Sequence, residues 1–421
     1  MELLERILSR ENMLHALDRV RRNRGSHGVD GMSVDELPAY LKTAWPSIRQ
    51  QLRAGTYVPQ PVRRVEIPKP DGGKRLLGIP TVIDRLIQQA MTQVLSPIFE
   101  ENFSEHSYGF RPGRSAHDAV KASREYFEKG YNWVVDIDLE KFFDRVNHDV
   151  LMSRVARRIS DKRVLRLIRR YLESGVLLNG VQVANEEGTP QGGPMSPLLA
   201  NILLDDLDKE LERRGHVFCR YADDCNIYFR SKRAGERVMS SIGRYLEERL
   251  KLKVNRKKSA VDRVWRRKFL GFSFYRMYGR VGIRIHPKSL SRFKQSVRYR
   301  TRIRHSRNFQ QRLSELNVVT TGWVNYYGLA DAKNIMIDLD KWICRRLRAC
   351  LWTQWKLVKT RRNNLMKLGV PKEKAWEWAN SRKAQWRVAG SPILQTTLTG
   401  QYLAKCGYKS LLTQYLSIHS M

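Results

Sequence analysis

Acidic side chains and cysteines are both scarce in this sequence. Its 42 Asp and Glu face 78 Lys and Arg, a formal charge of +36, which favours a polyanionic partner over an acidic small substrate. The five cysteines, Cys219, Cys225, Cys344, Cys350 and Cys406, are odd in number and form no Cys-x-x-Cys pair. Neither a disulfide framework nor a zinc module is therefore indicated, and a reducing, cytoplasmic setting is expected. An apolar run of about 18 residues is missing, as is an N-terminal signal peptide, so no membrane span and no export are expected. Tandem repeats and low-complexity tracts are missing too. What is present suffices for packed cores, because 42% of the 421 residues are hydrophobic, enough for two or three domains.

The charge is unevenly placed. Residues 280–421 hold 28 basic and 6 acidic side chains, a net of +22, leaving +14 for the first 279 residues. That asymmetry points to two different jobs.

The opening stretch spaces Leu4, Ile7, Leu8, Leu14, Leu17 and Val20 in helical fashion and stops at the glycine-rich "RGSHGVDG". Two short strands joined by Pro70-Asp71-Gly72-Gly73 follow, then a helix that Thr81 can cap, with Asp84 three residues on. "NWVVDIDLEKFFDRVNH" begins as a strand, with Val135, Ile137 and Leu139 on one face and Val134, Asp136 and Asp138 on the other. Helical spacing covers about Asp149 to Ser174, interrupted near Ser160-Asp161. "GTPQGGPMSPLLANILLDDLDKEL" reads as a loop leading into a helix capped by Ser196, with Pro197 first. Another helix covers about 233–250. Strands interleaved with helices over about 60–279 indicate an α+β or α/β core. Beyond Gly282 the texture becomes basic helices, with Trp342 and Trp355 expected inward.

"RYADDCNIYF", residues 220–229, alternates like a strand but carries Asp223 and Asp224 at its centre. Taken alone, Ala222-Asp223-Asp224-Cys225 also reads as an ordinary hairpin turn, since aspartate is common in turns. Asp136 and Asp138 likewise suit a plain solvated strand face. If the two elements pair in one sheet, however, Asp138, Asp223 and Asp224 meet and repel unless divalent cations neutralise them. Oxygen ligands without His or Cys suit Mg²⁺, and two such ions serve nucleotidyl transfer. Asp144, Asp205 and Asp206 read as partners of basic neighbours or water.

"YADD", "VVDIDLEKFFDRVNH", "GTPQGGPMSPLLANILLDDLD" and "FLGFSF", in this order, resemble the palm of a reverse transcriptase. With "SYGFRPGRSAHDAV" and "GWVNYY", essentially the whole chain is similar to the reverse transcriptase and maturase proteins of bacterial group II introns. The resemblance implies a right-hand polymerase fold of the α+β class, with fingers and an antiparallel palm sheet, then a helical thumb and a small basic helical C-terminal domain. It implies an N-terminal extension at 1–60, fingers and palm at 61–279, a thumb or maturase domain at 280–360 and a DNA-binding domain at 361–421. The activity implied is RNA-directed DNA synthesis from a primer 3′-hydroxyl with deoxynucleotides, along with binding of group II intron RNA to promote splicing and support of intron mobility on a DNA target.

Residue by residue, the resemblance makes Asp138 and Asp223 the bridging ligands of two Mg²⁺ ions, for which Mn²⁺ can substitute. Asp224 stands beside them, and the Leu139 carbonyl completes one coordination sphere. Phe143 corresponds to a steric gate under the sugar; without the resemblance it also reads as a core residue next to Phe142. Lys69 and Arg75 would clamp the triphosphate, which cations at a turn can do. Gln191 and Gly192 would lie under the incoming base and sugar, with Asn255 and Lys257 nearby. Leu270 and Gly271 would lie near the primer end. Gly25, His27 and Gly28 of the first loop would lie over the template; a simple interhelix connection is the plainer alternative. A bacterial, nucleoid-associated monomer or homodimer is implied.

Many family members continue into an endonuclease with His-Asn-His residues and paired cysteines, and this chain ends at Met421 without them. Bottom-strand cleavage is thus not expected, and the primer would come from elsewhere. Two other readings stay open: an RNA chaperone that performs no synthesis, and a domesticated reverse transcriptase serving repair or defence.

Overall fold

Ser9 divides the opening apolar stretch into two helices, α1 (Leu3–Ile7) and α2 (Arg10–Arg22), because its hydroxyl accepts the Asn12 amide and caps the second. The buried stripe of α2 is Met13, Ala16 and Val20, one helix face. Leu14, expected inward, lies off that stripe and is 51% exposed. The computed structural model describes residues 2–68, 73–178, 181–183, 188, 192–303 and 308–420. They divide into two compact units, Met1–Phe269 and Leu270–Met421.

In the first unit, α3 (Leu37–Ala54) leads to β1 (Val62–Pro68), β2 (Lys74–Ile79) and α4 (Val82–Glu100). Thr81 caps α4 by accepting the Asp84 amide at 3.1 Å. The buried Asp84 carboxylate also takes the Tyr57 hydroxyl at 2.8 Å and the Gln60 amide at 3.2 Å, tying the chain before β1 to the helix. After α5 (Ala116–Glu128) comes β3 (Trp133–Ile137), then α6 (His148–Val155) and α7 (Lys162–Glu173), the latter capped by Asp161. β4 (Val176–Leu178) pairs parallel with β1, and β5 (Val181–Val183) antiparallel with β4, giving a sheet in the order β2-β1-β4-β5.

α8 (Ser196–Arg213) follows. Ser196, expected to cap it, is its first residue: the Met195 carbonyl already accepts the Leu199 amide, so helical bonding begins one position earlier. A hairpin of β6 (Val217–Tyr221) and β7 (Asp224–Phe229), then α9 (Lys232–Arg249) and β8 (Ala260–Arg263), complete the unit. These strands and β3 form a second sheet, β6-β7-β3-β8, antiparallel throughout. α9 packs closely on it: a Cβ on Gly235 would stand 2.7 Å from Val261 Cγ1 and 3.4 Å from Val135 Cγ2. That contact covers one face of β3.

The second unit opens with the hairpin β9 (Phe272–Met277) and β10 (Arg280–Ile285). Asp331 holds it to the helices, accepting the Ile283 amide at 3.0 Å and donating its own amide to the Ile283 carbonyl at 2.8 Å. The units therefore divide ahead of the composition shift at Gly282, which falls inside this hairpin. α10 (Pro287–Arg300), α11 (Phe309–Tyr327), α12 (Lys333–Gln354) and six shorter helices between Val358 and His419 follow. Trp352 is the buried tryptophan of α12. Trp342 and Trp355, expected inward, are only half-buried. The first is stacked by the Arg298 and Arg346 guanidinium groups at 5.7 and 5.3 Å; the second lies just past the last helical residue. Trp386 extends the alternation, with Arg346 at 5.8 Å and Arg345 at 4.3 Å from its ring. Among the described residues no helix is long and apolar enough to cross a membrane.

Candidate active site

Strand register brings the carboxylates together. β3 and β7 pair antiparallel with Ile137 opposite Cys225, so one step further sets Asp138, just past β3, opposite Asp224. β7 begins at Asp224, which pairs with Tyr221, leaving Ala222 and Asp223 as the two turn residues. Ala222 takes φ of 56°, the left-handed region that glycine usually fills at the first turn position of such hairpins.

The loop 253–259 anchors Asp138 from the other side. Its amide donates to Ser259 Oγ at 2.9 Å, and its carbonyl accepts the Asn255 amide at 2.8 Å. Glu140 donates to the Lys253 carbonyl at 2.8 Å, so the Leu139 carbonyl stays out of the two backbone bonds that flank it. Asn255, singled out in the sequence, thus acts on Asp138 through its backbone, while its side chain accepts the Lys257 amide at 3.3 Å. The lysine facing the carboxylate is Lys258, whose Nζ lies 3.9 Å from Asp138 Oδ2.

A fourth carboxylate, Asp136, shares this sheet face and is gripped by Arg267 at 2.5 and 2.9 Å. Burial still raises its pKa, against the opposing pull of Arg267. The Asp224 carboxyl is pushed up to about 7, by its surroundings' burial first and then by Asp223, Asp136 and Asp138, with Lys268 opposing. Asp224 is nonetheless an exposed residue, so water screens part of the burial effect, and the neighbouring carboxylates add to the upward direction. Neighbouring Cys225 is kept a neutral thiol by burial. The donors on offer are carboxylate oxygens, a set that fits a hard divalent cation. Among the described residues, no group of three or more His, Cys, Asp or Glu side chains is placed so that it could hold a metal ion. Asp136, Asp138 and Asp223 all act electrostatically on Asp224, and Lys258 stands beside Asp138.

A raised pKa means that the folded state holds a proton the unfolded chain has lost. The stability present below the ordinary value of 3.8 is therefore lost as pH rises towards 7. A divalent cation should restore it, raising the thermal midpoint at pH 8 by more than at pH 5.5, by about 2–4 °C for each kcal/mol of binding. The difference between the two pH values should shrink in Asp224→Asn; equal shifts at both pH values in the wild type would contradict this.

Other residues expected at the site are placed as follows. Phe143 sits half-buried in a single helical turn, Phe142–Asp144, its ring 5.1 Å from that of the buried Phe142. Gly192 has φ of 127°, and a Cβ on it would stand 2.9 Å from the Gly78 carbonyl of β2, so only glycine lets this loop lie on that strand. Arg75 lies in β2 opposite Ile67. Lys69 and Gln191 lie outside the described residues. Gly25, His27 and Gly28 are pinned to β1 and α4: Arg63 donates to the His27 carbonyl at 3.0 Å, Arg85 to the Ser26 carbonyl at 2.7 Å, and a Cβ on Gly28 would meet Thr81 Cα at 2.6 Å. Leu270 and Gly271 belong to the second unit, where their carbonyls accept the Tyr326 and Ser289 hydroxyls at 2.8 and 2.9 Å. Asp206 pairs with Arg154 and Arg157, as its sequence setting suggests.

Sequence reasoning missed Lys258, Arg267 and Arg220. The adjacent basic residues "RKK" and "RRK" signalled a cation near the acids without saying which one faces them, and Arg220 was hidden inside strand β6.

Residues 67–274 match the family described as reverse transcriptase (RNA-dependent DNA polymerase), and residues 290–369 match the group II intron maturase-specific domain. Protein YkfC of Escherichia coli (strain K12) is 36% identical over 282 residues, 58% of this chain and 74% of that protein. The group II intron-encoded protein LtrA of Lactococcus lactis subsp. cremoris is 42% identical over 188 residues, 44% of this chain but only 31% of LtrA. The chain belongs to the family of group II intron reverse transcriptases and maturases.

Proposed function

We propose that this reverse transcriptase extends a primer 3′-hydroxyl on an RNA template with deoxynucleotides, using a pair of Mg²⁺ ions held by Asp138 and Asp223. The observation that carries this reading is the β3–β7 register, which sets Asp138 beside Asp224 at the hairpin turn. Asp138 and Asp223 supply carboxylate oxygens, Asp224 stands beside them, and the Leu139 carbonyl completes the oxygen set. When bound, the cations lower the pKa of the attacking hydroxyl and neutralise charge on the leaving pyrophosphate. Lys69 and Arg75 would clamp the triphosphate. Gln191 and Gly192 support base and sugar, with Asn255 and Lys257 close by, and the Gly25–Gly28 loop tracks the template. Leu270 and Gly271 lie by the primer end.

We further read residues 280–360 as the thumb and maturase part that grips intron RNA, and 361–421 as a DNA-binding segment. The matched maturase domain and the +22 charge of residues 280–421 support this. The arginine and tryptophan alternation around Trp342 and Trp386 suits stacking on unpaired bases. Intron splicing and mobility follow as its roles, in a bacterial cytoplasm near the nucleoid.

Primer extension with Mg²⁺ and deoxynucleotides tests the reading; absence of product would sink it. Phe143 gives a second test. If its ring excludes a 2′-hydroxyl, Phe143→Ala should raise incorporation of ribonucleotides relative to deoxynucleotides by roughly 10- to 200-fold, the range that one apolar contact governs. An unchanged ratio would make Phe143 a core residue only.

A further inference from the structure

Arg220 lies three residues before Asp223, wholly buried, and nucleotidyl transfer by carboxylates does not itself call for it. All five of its N–H donors are used. Nε donates to Asp208 Oδ1 at 2.7 Å, and Nη2 donates to Asp208 Oδ2 at 2.5 Å and to Ser107 Oγ at 2.8 Å. Nη1 donates to Asn201 Oδ1 at 3.0 Å and to the Ala222 carbonyl at 2.9 Å. Asn201 and Asp208 are both buried and lie two turns apart on one face of α8. Asn201 also donates to the Gly109 carbonyl at 2.8 Å, so the segment 104–109 is tied into the same network.

That segment runs alongside β6. Arg220 donates its amide to the His106 carbonyl, and Tyr108 donates to the Arg220 carbonyl, both at 2.9 Å. Its backbone presses on the acidic turn: a Cβ on Gly109 would stand 2.4 Å from the Ala222 nitrogen. The turn is therefore closed from behind.

A purely architectural account has the buried ion pair fasten α8 to β6. Asp208 alone would suffice for that. The bond from Nη1 to Ala222 reaches forward to the turn residue with φ of 56°, a conformation unfavourable for alanine. The Ala222 carbonyl and the Asp223 amide share one rigid peptide plane that ends at the Asp223 Cα, so a guanidinium that fixes the carbonyl direction also fixes where that Cα stands and the N–Cα axis about which its carboxylate swings. A buried, fully saturated arginine holds that plane without exchanging partners with water.

We propose that Arg220 is a positioning residue for DNA synthesis, locking the Ala222–Asp223 peptide so that the Asp223 carboxylate is aimed for transfer; this rests on the reading of Asp223 given above. Lysine cannot replace it, because one ammonium cannot reach Asp208, Asn201, Ser107 and Ala222 together.

Arg220→Lys keeps a cation opposite Asp208. Its kcat for primer extension should fall about 100-fold, the scale of a 1 Å misplacement, with deoxynucleotide KM and RNA affinity within about twofold of wild type. Removing one partner of a buried pair endangers the fold, so the second variant is Arg220→Met combined with Asp208→Leu, an apolar replacement that such pairs tolerate. In the full chain, folded by circular dichroism, it should show the same loss of kcat. Its Mn²⁺ affinity, read by electron paramagnetic resonance without any turnover, should weaken about tenfold. Wild-type kcat in either folded variant would overturn the proposal. So would a loss confined to KM or RNA affinity, or one that tracks the thermal midpoint and disappears on cooling. Asp223→Ala serves as the control: full synthesis in that variant defeats the reading of Asp223 itself, whereas its loss alongside an active Arg220 variant defeats only this inference.

Discussion

Asp223→Ala and Asp138→Ala should each lower DNA synthesis on an RNA template by on the order of 10³-fold, while RNA binding changes little. The first part follows from charge. Each substitution takes away one of the carboxylates that act on Asp224, and on the proposed reading a cation there would lose a principal oxygen ligand. The second follows from placement. Asp223 is a turn residue and Asp138 lies just beyond a strand, so neither supports the apolar core, and the +22 charge of residues 280–421 is untouched. Single-turnover primer extension and filter binding on the same preparations separate the two. Splicing of the intron RNA at low Mg²⁺ should survive Asp223→Ala. Full synthesis by that variant would show that Asp223 holds no catalytic cation, whereas no synthesis by the wild type would leave an RNA chaperone as the better description.

Raising salt from about 50 to 200 mM should weaken RNA binding by roughly 300-fold if six phosphates are neutralised, each contributing a log-log slope of about −0.7 on single strands. The expectation rests on how the charge is carried. Arg298, Arg345 and Arg346 lie over indole rings, so their charges are partly held in place before any RNA arrives. Such a surface attracts phosphates through counterion release, which salt opposes directly. Titrations at several salt concentrations check the slope. A flat response would mean that apolar stacking, not charge, holds the RNA.

The acidic hairpin and its partner strand were legible in the sequence because both signals are local. Alternation in "WVVDI" and "DCNIYF" marks strands, and carboxylates in such places are rare enough to notice. What was not legible depends on contacts distant in the chain. Lys257 and Lys258 are indistinguishable as letters; only the turn of the 253–259 loop decides that Lys258 faces Asp138. Arg220 looks like one of many basic residues, and its burial is set by Asp208 and Ser107, drawn from α8 and from a loop more than a hundred residues earlier. Leu14 failed for the opposite reason. Ser9 starts a new helix and resets the phase of the apolar stripe, so a leucine that suits one continuous helix turns outward. Trp342 was expected inside from its helical spacing, a rule that does not foresee arginines covering its ring.

The most direct measurement is a structure of the full chain bound to primer, RNA template, a non-hydrolysable deoxynucleotide and Mg²⁺. Asp138 should have left Lys258 and, together with Asp223, should place carboxylate oxygens at about 2.1 Å from shared magnesium, with Asp224 adjacent. Magnesium held by other side chains, with Asp138 still turned towards Lys258, would contradict the account.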